Sequence, residues 1–408
     1  MRISSSAIYD SNVNLLNQQQ AKLLHTQQQL ASGRRMVTPA DDPFASARAL
    51  EISQSDSANT QFVTNRNAAK HTTAMAETIL QSVTSLLQDV RTATVGHGSG
   101  VLTTPDKNAL ATDLRGRLDE LVGLANSTDG VGNYLFSGYQ GKTLPFVKGQ
   151  RGIQYMADDG QRLIQVDSSR QMATSDSGAD IFMRIKNGNG KFDVKSLSAN
   201  LGSGIIGQSV VTNQAWLTGH NYQVKFYVDK INGEARTSYD VVDLSTEELL
   251  SQGNAYTSGQ VINFDGMQLN ISGEPGDCDE FFVIPSENES LFTTLSNLVA
   301  ALESGNPMGG AAAKAQYTNS INRGLNNIDR GLENVSTIRT SLGSRLRELD
   351  ALQVTGEDIG LQYKTKLSEL QDVDFNKAVS DLNQKQTSLT AAQKSFKQVS
   401  DLSLFNYL

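Results

Sequence analysis

The chain has 408 residues, enough for two or three domains, and carries 43 acidic against 35 basic side chains for a formal charge of −8. That balance argues against a general nucleic-acid surface, and no apolar run is long enough to read as a membrane span. The single cysteine, Cys278, excludes an intrachain disulfide framework, and His25, His71, His97 and His220 are scattered without metal-ligand spacing.

The opening "MRISSSAIYD" carries a positive charge but no apolar stretch, so no cleaved secretory signal is expected there. A helical pattern follows, with Tyr9, Leu16, Leu23 and Leu30 seven residues apart. Heptad spacing favours packing against another helix. The second seam, read at Val13, Gln20 and Gln27, is mostly polar, so this helix offers one narrow stripe. A stripe that narrow buries too little to offset its ordering entropy, which predicts an end that is loose until it meets neighbours. One alternative is a plain hairpin of the two chain ends.

Residues 30–43, "LASGRRMVTPADDP", read as a joint between helices. Gly33 suits the left-handed conformation that ends a helix, and Arg34 and Arg35 sit where a helix C-terminus favours positive charge. Thr38-Pro39 favours extended backbone. Asp41 and Asp42 precede Pro43; Asp42 is expected to cap the next helix and Pro43 to take its first position.

Stronger helices follow. Ile79, Val83, Leu86, Val90 and Ala93 form one stripe. Thr104, with Pro105 behind it, is expected to cap a helix that carries Leu110, Leu114, Leu118 and Leu121. From about 144 to 285 the pattern changes. "IQYMADDGQRLIQV", "FMRIKNGNGKFDV", "YQVKFYVDKINGEARTSYDVV" and "VINFDGMQLNI" each set a glycine-containing turn between strand-like runs, which predicts four hairpins. Helix then resumes. Ile321, Ile328, Val335, Leu342 and Leu349 repeat every seven residues, and Leu325, Leu332 and Leu346 fill the alternate seam. Gly324, Gly331 and Gly343 lower helix propensity there and are expected to admit a close neighbour. The last helix mirrors the first, with Phe375, Leu382, Leu389 and Phe396 in one stripe and Val379, Gln386 and Gln393 beside it. Val399, Leu402, Leu404, Phe405 and Leu408 crowd further apolar surface into the final residues, a cluster that needs covering.

The predicted fold class is therefore mainly α with an all-β insertion, the N- and C-terminal helices pairing as a coiled-coil-like bundle. Chemistry finds little support. "GSGIIG" at 202–207 lacks the strand and helix of a nucleotide fingerprint and reads as a flexible loop of the β region. "DVDFN" at 372–376 lacks the Gly and Glu of a calcium loop. "HGSG" at 97–100 lacks a nucleophile-elbow spacing. Cys278 sits among carboxylates that disfavour its thiolate. No catalytic residue, cofactor or metal site is expected.

"LASGRRMVTPADDPFASARAL" resembles the N-terminal signature of the flagellin superfamily, and "TPADDP" within it resembles the branch that forms the hook–filament junction. "DVDFNKAVSDLNQKQTSLTAAQKSFKQVSDLSLFNYL" resembles that branch's last helix, and "GNYLFSGYQ" at 132–140 resembles its inner domain edge. The β-rich middle carries no comparably specific motif. The resemblance implies an axial flagellar subunit. Residues 1–40 and 370–408 would be inner-tube helices (D0), 41–143 and 286–369 a helical bundle (D1), and 144–285 an outer β domain (D2). It further implies a ring of copies between hook-associated protein 1 and flagellin, outside the cell, with no nucleic-acid or membrane partner. Passage would be through the flagellar type III export channel, with an export chaperone on the C-terminal segment. Leu16, Leu23, Leu30, Phe375, Leu382, Leu389 and Phe396 would be the assembly residues. A filament-forming flagellin accounts for the same coils; the "LFNYL" ending favours the junction branch, since flagellins usually close in a shorter Leu-Leu-Arg-like tail.

Overall fold

The computed structural model describes residues 5–98, 103–150, 152–231, 234–306 and 308–401. The "LSLFNYL" ending, with Leu402, Leu404, Phe405 and Leu408, lies outside the described residues. Two compact units form, Met1–Arg66 with Asp350–Leu408 and, separately, Asn67–Leu349.

The second unit holds the large core. It takes residues from α2 (Pro43–Gly98), all of α3 (Thr104–Ala125) and α4 (Leu291–Ser304), and part of α5 (Ala311–Gln371). The heptad residues Ile321, Ile328, Val335, Leu342 and Leu349 are all buried, the first four in one core with Leu80, Val83, Leu87, Leu114 and Leu121 among others. The α3 cap is Thr103, one residue before the expected Thr104. It forms a capping box with Asp106, whose N–H donates to the Thr103 hydroxyl and whose carboxylate accepts the Thr103 N–H. α4 lies within the 286–369 segment expected as helical bundle, and its Leu291, Leu295, Leu298 and Leu302 are buried at helical spacing behind the Ser290 cap. It is packed so closely on α5 that a Cβ on Gly324 would stand 2.2 Å from Leu298 Cδ2 and one on Gly331 2.3 Å from Leu291 Cδ2. Gly343, by contrast, faces open space.

Two of the four expected hairpins form. β1 (Phe146–Gly149) pairs with β2 (Gly152–Tyr155), and β3 (Leu163–Asp167) with β4 (Arg170–Ala173), so β2 and β3 are not partners. The Asp159-Gly160 turn between them is bound elsewhere. Asp158 accepts the N–H groups of Tyr139, Gln140 and Gly160, and Gly160 lies against the Tyr139 ring. A single π turn, Ala179–Met183, leads to β5 (Ile185–Lys186) and β6 (Phe192–Ser196), which also ignore each other. β7 (Ile205–Ile206) lies in "GSGIIG", which is no free loop. Asn319 on α5 accepts the Ile206 N–H at 2.8 Å and donates to the Gly204 carbonyl at 3.0 Å. β8 (Val210–Val211) follows. β9 (Tyr222–Ile231) and β10 (Glu234–Asp243) form the long hairpin expected, extended by β11 (Glu248–Ala255). β12 (Val261–Phe264) and β13 (Met267–Ser272) form the other, turning at Asp265 and Gly266, both at positive φ as a two-residue hairpin turn requires. β14 (Glu280–Pro285) completes a five-stranded sheet ordered β11-β10-β9-β14-β6, and β15 (Asn288–Glu289) pairs with β5.

This unit has two cores. One unites Phe192, Tyr222, Val224, Phe226, Leu269, Ile271 and Phe281. The other is helical but includes Phe146, Ile181, Phe182 and Ile185 from the early β region. Phe136, Phe146, Phe182 and Phe292 touch ring to ring with centroids 5.2–5.9 Å apart. Gln316, Asn319, Arg323 and Asn327 on α5 hold the β-rich part by hydrogen bonds. Arg323 pairs with buried Asp193, whose pKa burial pushes up against the pull of that guanidinium.

Candidate assembly site

The first unit contains α1 (Ser5–Ser32), α6 (Phe375–Asp401) and the parts of α2 and α5 nearest them in sequence. α1 and α6 run antiparallel. Tyr9 meets Phe396 with ring centroids 5.3 Å apart, Lys385 Nζ donates to Thr26 Oγ1 at 2.6 Å, and Phe375 lies beside Gly33. The two chain ends thus form a hairpin within one chain. Leu16, Leu23, Leu30, Leu382, Leu389 and Phe396 are only half-buried in it, and Phe375 remains 56 % exposed.

The second seam differs from the expected one. Gln20, Gln27, Val379, Gln386 and Gln393 are exposed. The helices turn inward instead the residues three positions after each stripe residue, Asn12, Gln19 and Thr26 on α1 and Ala378, Lys385 and Ala392 on α6. A heptad steps three and then four, so either offset was available. Small or amphipathic side chains fill the chosen one, and no apolar signal marked it.

The joint is closed by main chain. Gly33 has φ +67°, ending α1. Arg34 bridges to Asp372, the Arg35 N–H donates to the Gln371 carbonyl at 2.7 Å, and the Val373 N–H donates to the Gly33 carbonyl at 3.0 Å. The break before α6 therefore lies against the break after α1. The Arg35 guanidinium donates to the Leu370 carbonyl at 3.0 Å and to Asp42 Oδ2 at 3.3 Å. Asp42 caps α2, its other oxygen accepting the Ala45 N–H at 3.0 Å, and Pro43 is the first residue of that helix. The Ala45 bond and then Arg35 hold the Asp42 carboxyl below its ordinary pKa. Asp41 serves the loop: it accepts Thr38 and Val37 N–H groups at 2.8 Å, with His25 at 3.0 Å on its other oxygen, and these contacts lower its pKa too. The Arg34 guanidinium has no partner among the described residues. Asp374, in the former calcium-loop candidate, caps α6 through the Lys377 N–H.

Beyond the joint, this unit has a groove of about 450 Å³ between α2 and α5, with Val63, Gly356, Gly360 and Leu361 on its walls and Asp56 at its edge. Asn59 reaches across to the Gly356 carbonyl at 2.8 Å, and Gly356 leaves room for Arg66 to lie on α5. No helix among the described residues is long and apolar enough to cross a membrane.

Residues 3–141 match the family model described as the bacterial flagellin N-terminal helical region. The chain is 29 % identical to flagellar hook-associated protein 3 of Salmonella typhimurium over 99 % of both chains. The crystal structure of the flagellar junction protein FlgL from Legionella pneumophila superposes with a TM-score of 0.71 at 28 % identity, covering 80 % of this chain and all of that one. Likeness to a flagellin of Escherichia coli is 26 % over only 37 % of this chain and 26 % of that protein.

Proposed function

We propose, with the full-length likeness to hook-associated protein 3 as premise, that this chain is a structural axial subunit of the bacterial flagellum, an adapter at the hook–filament junction. The observation that carries the reading is the reach of that likeness, which spans both chains, whereas the likeness to flagellin stops at about a third of this one. Its work is mechanical rather than catalytic. It assembles with further copies of itself into a ring between hook-associated protein 1 and flagellin. It travels through the flagellar type III export channel, with a chaperone on its C-terminal segment.

The half-buried seams of α1 and α6 support assembly through Leu16, Leu23, Leu30, Phe375, Leu382, Leu389 and Phe396, which neighbouring copies would cover. The joint residues Gly33, Arg34, Arg35, Asp41, Asp42 and Pro43 would set the angle between D0 and D1. Membership of Phe146 and Phe182 in the helical core supports starting D2 near Phe192 rather than at 144. Deleting the gene tests the function. Cells should make hooks without filaments and shed flagellin into the medium, and the intact gene should restore filaments. Filaments growing normally on mutant hooks would refute it.

A further inference from the structure

Phe44, the second residue of α2, is 85 % exposed although it follows a joint fixed by several hydrogen bonds. A phenyl group presented to water from a helix end with a fixed backbone exposes apolar area that nothing in its own chain covers. The same unit carries an open site of matching character. In the groove between α2 and α5, Leu361 is 66 % exposed and Val63 is half-buried, while Arg66 and Asn59 close over Gly356 and Gly360. Charge matches as well: the Asp56 carboxylate at the groove and the Arg34 guanidinium in the joint each lack a partner among the described residues. Lys364 and Glu357 also line the groove, and Glu357 accepts from Gln353.

A knob and a groove at different places on one molecule make a heterologous contact, which propagates from copy to copy instead of closing on a pair. Thr60 lies sixteen residues along α2 from Phe44, so knob and groove stand about 24 Å apart along that helix at 1.5 Å per residue. Resting on the junction reading above, we propose that Phe44 of one copy seats in the groove beside Leu361 and Val63 of a second copy, with Arg34 of the first opposite Asp56 of the second.

Cysteine pairing tests it in hooks isolated from cells, in a Cys278→Ser background that removes the native thiol. Co-expressed Phe44→Cys and Leu361→Cys subunits should give an oxidant-dependent dimer of this chain, absent with either variant alone. Arg34→Asp and Asp56→Arg should each reduce filament-bearing hooks several-fold, and the double exchange should restore them. Phe44→Ala keeps an uncharged surface should Phe44→Asp disturb the fold, and both should leave the melting temperature unchanged. Absence of the dimer from hooks that contain the protein, failure of the exchange to restore filaments, or a cross-link from position 44 to a different protein would each overturn the docking. If antibody finds no protein on hooks at all, the junction reading itself fails.

Discussion

The two units solve opposite problems with the same element. In Asn67–Leu349, leucines, isoleucines and valines at heptad spacing are sealed to a few per cent exposure or less, and α4 presses leucines onto glycines of α5. In the other unit, the buried apolar residues among those described are Ala45, Ala49, Ile52 and Ala378, while Leu361, Leu50, Val354 and Phe44 face water. At about 25 cal/mol per Å² of apolar area removed from water, the first pattern stabilises a unit on its own and the second does so weakly. Helix content therefore says little about stability here. The width of the buried stripe decides, and the narrow stripe leaves apolar area for a neighbour to cover.

Four experiments put this contrast between the units to the test. The largest effect belongs to Leu389→Asp with Phe396→Asp. A buried apolar side chain is worth about 1.5–3 kcal/mol, so two charges should overwhelm the α1–α6 seam. Motility and filaments should vanish, and capture by the export chaperone should weaken, while the cooperative melt of the other unit stays in place. Filaments on hooks of that variant would show that this face is not used in assembly. Next, Leu114→Ala should lower unfolding free energy in urea by about 2–5 kcal/mol, and Leu23→Ala by clearly less. Equal losses would erase the distinction between the units. Third, Gly343→Ala should stabilise by roughly 0.5–1 kcal/mol, because open space meets the new methyl. Gly324→Ala should cost about 1–3 kcal/mol by driving it into Leu298.

The smallest effect concerns pH. Asp41 and Asp42 have folded pKa values below the ordinary carboxylate value. Their contribution is complete above about pH 4 and is lost as pH falls through the lowered values. Amide protection in α1 and the first turn of α2, taken relative to the intrinsic exchange rate at each pH, should therefore fall in acid. Asp42→Asn should keep most of the cap and lose the acid dependence that Asp42 supplies, whereas Asp42→Ala should loosen the helix start at every pH.

Sequence foretold the strong unit well, because burial there follows a period and bulky residues report the period. Ile321 through Leu349 needed nothing more. The joint was equally readable, since Gly33, Asp42 and Pro43 act through local backbone chemistry. The second seam was not, because Asn12, Gln19, Thr26 and Lys385 have no apolar signature. Two of the expected hairpins failed for a different reason. Alternation identifies a strand but not its partner: β2 pairs back with β1 and β3 onward with β4, while Asp158 ties the Gly160 turn between them to Tyr139 and Gln140. α4 lies in the 286–369 segment expected to be helical, and its leucines and Ser290 mark it.

The stitch across the joint has a consequence for how this protein tolerates sequence drift. Its two central bonds, Arg35 N–H to Gln371 and Val373 N–H to Gly33, use only peptide groups that almost every residue supplies. Side chains at 34, 35, 371 and 373 can change while the fold-back of one chain end on the other persists. Proline alone among the amino acids lacks the donor. A single proline at 35 or 373 should therefore unpick what many other substitutions there leave whole.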